Sequence, residues 1–357
     1  MENSFNRACQ PFTYELPSDR IAERPIYPYH DARLLVADRN DGSLRESTFI
    51  KLTEFLRPSD ILILNNTRVI PARLFGRLET SGEVEILLLA DKGENCWRVL
   101  GRPLKKFRPG GKIIFSDVLK AEVIERLDSY EALLSFYVDS GSDLSVPEAL
   151  KACGLMPIPP YIRGGRGDMS DVKDYQSQYA KEEGSVAAPT ASLHFTEELH
   201  KKLSLHGCRN DFITLHLSTA SFLPVFDREE QGLKEPGVEL LRYTPEVLKQ
   251  AAIARKSGGR VIAVGTSVVR ALETLFSMYN EHGDYQEGAY YETELFITPG
   301  YSFKVVDAMV TNFHQPGTTH MLMLQAFMEG DLLKKSYEVA LSGGYRFLSY
   351  GDGMLIL

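Results

Sequence analysis

RVIAVGTSVVRALETLF, residues 260–276, decides the fold class. RVIAVG reads as a short apolar strand, and TSVVRALETLF is a helix that follows it after a single turn. The pattern repeats outward. Upstream, Thr244-Pro245 opens a helix that closes at Gly258-Gly259, and DFITLHL (Asp211 to Leu217) is a strand. Before that, Thr196 can cap the helix TEELHKKLSLHG, with glutamates in its first turn and Gly207 past its end. Downstream, FKVVDAMV (Phe303 to Val310) reads as another strand. Near the start, RLLVAD (Arg33 to Asp38) is a strand, followed by a turn at Asn40-Asp41-Gly42 and a short helical stretch near Lys51 to Leu56. Arg57-Pro58 breaks that stretch, and ILIL (Ile61 to Leu64) is a buried strand. Strands alternating with helices imply a mostly parallel sheet with helices on both faces.

One region has a different texture. From Val69 to Val138 the short runs EVEILLLA, CWRVLGRPL, KIIFSDV, AEVIERL and EALLSFYV are punctuated by Ser81-Gly82, Pro109-Gly110-Gly111 and Ser140-Gly141. Even spacing, turn signals and little helical period predict a small β-barrel or sandwich. The expected organisation is therefore an α/β domain over 1–68 and 146–357, interrupted by an inserted barrel domain over 69–145. At 357 residues the chain has the length of roughly two domains at about 150 residues each.

Composition sets the outer limits. With 43% hydrophobic and 25% charged residues, the chain has the make-up of a soluble globular protein. MENSFNRACQPF lacks the apolar run of a secretory signal, and no stretch reaches the ~18 apolar residues of a membrane span. The expected location is the cytoplasm. Cys9, Cys96, Cys153 and Cys208 stand far apart, with no CxxC pair, which argues against a zinc ribbon or a disulfide scaffold. Forty basic against 48 acidic residues give a net charge of −8, so any nucleic-acid contact has to come from a local basic patch. Such a patch exists: RVLGRPLKKFRPGGK carries Arg98, Arg102, Lys105, Lys106, Arg108 and Lys112 without an acid, and reads as a basic hairpin. A solvated face is the plainer reading.

Several polar strings fall where α/β sheets bind ligands, at the carboxyl ends of strands. LNNTRVIPARL places Asn66, Thr67, Arg68 and Arg73 after a buried strand, as ligand groups or as a hydrogen-bonded crossover. GSVAAPTASLHFT sets His194 among small residues just before a helix, where an imidazole stays neutral and can act as a base, or is a structural histidine in a helix-entry loop. In AVGTSVVRALE, Thr266 begins a helix whose free N–H groups can meet an anionic group, with Arg270 and Glu273 further along. FKVVDAMVTNFHQPGTTHMLML places Lys304 and Asp307 on the expected strand and His314 at its exit. His314 and His320 lack the carboxylates of a metal motif, so no metal is expected. YRFLSYGDGMLIL holds Tyr345, Arg346, Tyr350 and Asp352 in a turn before a final strand.

Taken in order, NNTRVIPARLFG, PIPPYI, DYQSQYA, VAAPTASLHFT, RVIAVGT with VRALE, FITPGY, FKVVDAMVTNFH and YRFLSYGDGML closely resemble the S-adenosylmethionine:tRNA ribosyltransferase-isomerase family of queuosine biosynthesis. FTYELPSDRIAERPIYP resembles that family's opening, so the resemblance covers nearly the whole chain. It implies an α/β domain with an inserted barrel. The implied reaction moves the ribosyl part of S-adenosylmethionine, as co-substrate, to 7-aminomethyl-7-deazaguanine at the wobble position of tRNA. Epoxyqueuosine forms, adenine and methionine leave, and no permanently bound cofactor takes part.

On that resemblance His194 is the leading base, with Glu273 and Asp307 as further acid/base or amine-orienting groups. Asn66, Thr67 and Arg68, with Thr266 and Arg270, would hold adenosine or the methionine carboxylate. Tyr350 or Phe195 would face the sulfonium, and the basic run would contact the anticodon stem. The chain departs from the family at two places. HVGLGTF is replaced by His216-Leu217-Ser218-Thr219-Ala220-Ser221-Phe222, and an HxMHSE-like run by Lys234-Glu235-Pro236-Gly237-Val238-Glu239. These changes leave open a divergent paralogue that binds S-adenosylmethionine, a nucleoside or RNA with another acceptor or without catalysis.

Overall fold

The structure is a computed structural model and describes residues 10–79, 82–218, 226–227, 232–233, 237–281, 283–328 and 330–357. The chain forms two compact units. One runs up to Arg68 and resumes at Gln176–Leu357, and the other is Val69–Tyr175.

The first unit is built on a seven-stranded sheet of β1 (Arg33–Ala37), β2 (Leu44–Thr48), β3 (Ile61–Asn65), β4 (Arg209–Ile213), β5 (Val261–Val264), β6 (Ala308–Asn312) and β7 (Gly353–Ile356). Their order is β4-β3-β5-β6-β7-β1-β2. The pairs β4/β3, β3/β5, β5/β6 and β1/β7 are parallel, whereas β6/β7 and β1/β2 are antiparallel. ILIL and VIAV are buried residue by residue, as strands covered on both faces must be. On one face Leu62, Leu64, Ile262, Val264, Val310 and Leu355 meet Phe49, Leu52, Phe195 and Leu199 in a single apolar cluster. Helices α2 (Glu246–Lys256), α3 (Thr266–Asn280) and α5 (Leu332–Ser342) pack on the strands outside that cluster.

Local sequence explains the helix limits. The hydroxyl of Thr196 accepts from the Leu199 N–H at 3.3 Å and starts α1 (Glu197–His206), while Gly207 ends it at φ +95°. None of the helices among the described residues is long and apolar enough to cross a membrane.

The second unit contains a closed antiparallel barrel of Arg73–Leu78, Glu83–Asp91, Cys96–Arg102, Lys112–Ile114, Leu119–Arg126 and Glu131–Val138. Alternate residues fill it, among them Leu74, Ile86, Val99, Ile113, Val123 and Leu134. The basic run is not a hairpin. Cys96–Arg102 and Lys112–Ile114 are not neighbours in the barrel, and the segment between them is a crossover with a 3-10 turn at Leu104–Lys106. Leu104 and Phe107 bury their side chains, which turns Lys105 and Lys106 between them to solvent.

Candidate active site

The carboxyl ends of β3, β4, β5 and β6 lie at one edge of the sheet, and the polar strings gather there. After β3, the buried Asn65 side chain accepts from the N–H of Leu215 at 3.2 Å and donates to its carbonyl at 2.9 Å. The amide thus replaces a strand neighbour for Leu215. The expected strand Asp211 to Leu217 therefore breaks at Thr214, and Leu215–His216 pairs with Glu239–Arg242 in a separate small sheet. Thr214 donates its hydroxyl to the Asn66 side chain at 2.7 Å. Thr67, fully buried, shares a 2.7 Å hydrogen bond with Nδ1 of His216, whose ring stacks on Tyr290 with centroids 5.0 Å apart. Arg68 is exposed, 3.5 Å from Glu183. Arg73 belongs to the barrel unit, where its buried guanidinium meets Gly165 and Glu85.

The small-residue loop forms a 3-10 turn, Thr190–His194. It lies against Gly265, whose φ of +100° links β5 to α3 and favours glycine; a Cβ there would stand 3.6 Å from that of Ala191. Thr190 donates its hydroxyl to Oδ1 of Asn312, at the end of β6, at 2.9 Å. Three polar atoms of this junction are buried without a hydrogen-bond partner among the described residues: Ser192 Oγ, His194 Nε2 and Asn312 Nδ2. Ser192 and Asn312 carried no signal in the sequence beyond their place in the quoted strings.

His194 is 5% exposed. Its ring stacks on Phe49 at 4.1 Å, and Nδ1 lies 3.3 Å from the carbonyl oxygen of Tyr29. An N–H at Nδ1 satisfies that carbonyl and leaves Nε2 with a free lone pair. Burial pushes the imidazole pKa down to about 4, so the ring is neutral.

Arg270 is committed elsewhere. Its guanidinium holds Glu239 at 2.7 Å and donates to the carbonyls of Gly237, Thr293 and Leu295. His320, at the start of α4 (Thr319–Phe327), is also held at about 4 by burial, with the charge of Arg270 adding to it. His314 stacks on His320 at 4.7 Å and bonds Thr311 through Nε2 at 2.7 Å. No group of three metal-ligating side chains occurs among the described residues.

Glu273 and Asp307 do not reach this edge. The expected strand Phe303 to Val310 begins only at Ala308, because Glu273 captures the backbone before it. The N–H groups of Lys304, Val305 and Val306 donate to its carboxylate at 2.8, 2.9 and 3.1 Å, and the Tyr301 hydroxyl at 3.1 Å. Lys304 and Asp307 are thus in irregular backbone. Asp307 stands at the amino end of the strands, where Arg255 donates to it at 2.7 and 2.9 Å and the Val261 N–H at 2.8 Å. Thr266 opens α3, Tyr350 is buried, and Phe195 lies edge-on to Phe49 in the apolar cluster. In the barrel unit Arg98 lies 3.4 Å from Glu131, and Lys112 lies 4.0 Å from Glu79. Arg102, Lys105, Lys106 and Arg108 are exposed. Of the two altered strings, residues 219–222 and 234–236 lie outside the described residues. Ser218 donates its N–H to Glu239 at 3.2 Å.

Neutral buried histidines have a stability consequence. Free histidine protonates near pH ~6.5, whereas His194 and His320 are held at about 4, and His200, His216 and His314 also lie below their ordinary value. Between these values the unfolded chain binds more protons than the folded one, so stability is lost as pH falls from 6.5 toward 4. His194 alone accounts for about 3 kcal/mol of that loss at the acid end. Urea midpoints of the wild type should drop between pH ~7 and ~4.5, and by less in His194→Gln. The same drop in both proteins would mean that His194 protonates freely inside the fold.

Known proteins resemble the chain along its length. A family model described as a queuosine biosynthesis protein matches residues 9–356. An S-adenosylmethionine:tRNA ribosyltransferase-isomerase of Caldanaerobacter subterraneus subsp. tengcongensis is 40% identical over 350 residues, covering 97% of this chain and 98% of that one. Its counterpart in Aquifex aeolicus is 42% identical over 348 residues, with the same coverage of 97% and 98%. The crystal structure of S-adenosylmethionine tRNA ribosyltransferase from Thermotoga maritima aligns with a TM-score of 0.52 at 31% identity, over 97% of this chain and 99% of that one.

Proposed function

Because the chain belongs to the S-adenosylmethionine:tRNA ribosyltransferase-isomerase family of queuosine biosynthesis, we propose that it transfers and isomerises the ribosyl group of S-adenosylmethionine onto 7-aminomethyl-7-deazaguanine in tRNA. Adenine and methionine leave, and epoxyqueuosine results. The observation that carries this reading is the junction of β6, Gly265 and the 190–194 turn. A neutral imidazole and two unpartnered polar groups are buried there together, at the carboxyl edge where α/β sheets bind ligands. Leaving such groups unpaired costs about 1–3 kcal/mol each, a cost that a polar ligand removes.

The chemistry has three demands, and the chain's own groups match the first two in kind. A sugar proton made acidic by the adjoining sulfonium has to be taken; Nε2 of His194 holds the lone pair for it. The adenosine and the methionine carboxylate have to be oriented. Ser192 and Asn312 have free polar atoms for that, beside the N–H groups of Thr266 and Ser267 at the start of α3. The leaving adenine needs a hydrogen bond or a proton. Asn66 and Thr67 act on this reading by fixing the β3 exit, and Arg68 remains a candidate for the carboxylate. Arg270, Glu273 and Asp307 are positioning residues, each engaged by several internal partners, and the buried Tyr350 remains a candidate to face the sulfonium.

The test is a product assay on S-adenosylmethionine and tRNA bearing the aminomethyl-deazaguanine. Free adenine matched by the epoxyqueuosine mass in digested tRNA is the expected result. Stoichiometric binding without adenine would overturn this reading in favour of a divergent paralogue.

A further inference from the structure

The barrel unit has a cleft of about 680 Å³ lined in part by the strand Arg73–Leu78. Strand alternation explains its lining: Leu74 and Leu78 point into the barrel, so Phe75 and Arg77 point out. Phe75 is 40% exposed. Gly76 lies between them, and a Cβ at that position would come within 2.8 Å of the Phe115 ring. The missing side chain therefore lets Phe115, which stacks on the buried Phe136, lie close against the strand, and Phe75 is the exposed ring of the cleft. Arg77 and Arg166 line it too, and neither has an ion-pair partner among the described residues. This holds although Glu83, the cross-strand neighbour of Arg77, and Asp117 line the same cleft.

Each group suits one part of a nucleotide. An exposed phenyl face stacks a base, an unpaired guanidinium meets a phosphate, and a carboxylate accepts from a base's exocyclic amine or ring N–H. The volume falls in the ~300–1,000 Å³ range of sites that enclose small ligands. A helical stem offers no free base face, whereas a loop does.

We propose that this cleft receives one unstacked loop nucleotide of the tRNA, stacked on Phe75 and held at its phosphate by Arg77 and Arg166. The inference rests on the tRNA-modifying reading of the chain, and it is separate from the basic crossover at 98–112.

The experiment measures affinity of the full chain for labelled, unmodified tRNA by fluorescence anisotropy across a salt series. Phe75→Ala should weaken binding about tenfold and Phe75→Trp should restore it, since one base–aromatic contact is worth about 1–3 kcal/mol. Arg77→Ala and Arg166→Ala should each weaken binding several-fold and lower the salt slope by about one. Affinity for S-adenosylmethionine and the thermal midpoint should stay at wild-type values in all of them. In turnover the variants should raise KM for tRNA and leave kcat unchanged. Wild-type affinity in Phe75→Ala and in the Arg77→Ala, Arg166→Ala double variant would overturn the proposal. Loss of tRNA binding in these variants upholds it even if the wild type releases no adenine, a result that would overturn the catalytic reading alone.

Discussion

His194→Gln should lower adenine release by about 10²–10⁴-fold, the range that a positioned general base supplies. The geometry makes this a test of chemistry and not of folding. Nδ1 of His194 lies 3.3 Å from the Tyr29 carbonyl, and a glutamine amide can donate to the same oxygen. What glutamine cannot supply is the basic lone pair of Nε2. Because burial holds His194 at about 4, the wild-type rate should lose its basic form only as pH approaches that value, with no inflection near pH ~6.5. Turnover in His194→Gln within threefold of wild type, with an unchanged circular dichroism spectrum, would falsify the assignment. Restored turnover on addition of free imidazole would support it further, through a group that has no part in packing.

What the sequence revealed and what it concealed separate along a physical line. Features whose cause lies within a few residues were legible. The Thr196 cap, the Gly207 stop, the four-residue apolar runs of β3 and β5, and the alternation of the barrel strands all belong to this kind. The misreadings came where a distant side chain takes over the backbone. DFITLHL is a continuous strand by its residues, yet the Asn65 amide, 150 positions away, pairs with Leu215 and ends it. The basic run has the turn signals of a hairpin. Its course is set by Leu104 and Phe107 entering the barrel, which solvated lysines around them conceal. Site residues followed the same division. The polar exits of β3, β5 and β6 are visible as strings. That Ser192 Oγ and Asn312 Nδ2 lack hydrogen-bond partners among the described residues while Arg270 is fully engaged depends on contacts between remote segments.

The same division gives the second large effect. Glu273→Ala should destabilise the protein by about 4 kcal/mol or more, and the remaining folded enzyme should keep its turnover. Three backbone N–H groups and one hydroxyl converge on this carboxylate, which is fully buried. Removing it leaves those donors without an acceptor, at about 1–3 kcal/mol for each that water cannot reach. Glu273→Gln is the milder variant. Its single oxygen can still serve Val305 and Val306, and its NH₂ group can donate to the Tyr301 hydroxyl, but it then faces the Lys304 N–H, donor against donor. A loss of about 1–3 kcal/mol follows. Denaturant melts give the stability loss, and adenine release normalised to folded protein gives the turnover. An acid/base role would produce the opposite pair of results, a large loss of turnover in Glu273→Gln with a small loss of stability. The position of the carboxylate decides between them. It accepts from Lys304, Val305 and Val306, so it fixes the segment that leads into β6. Glu273 thus acts on the fold of that segment, and its effect on turnover should scale with the population of folded protein.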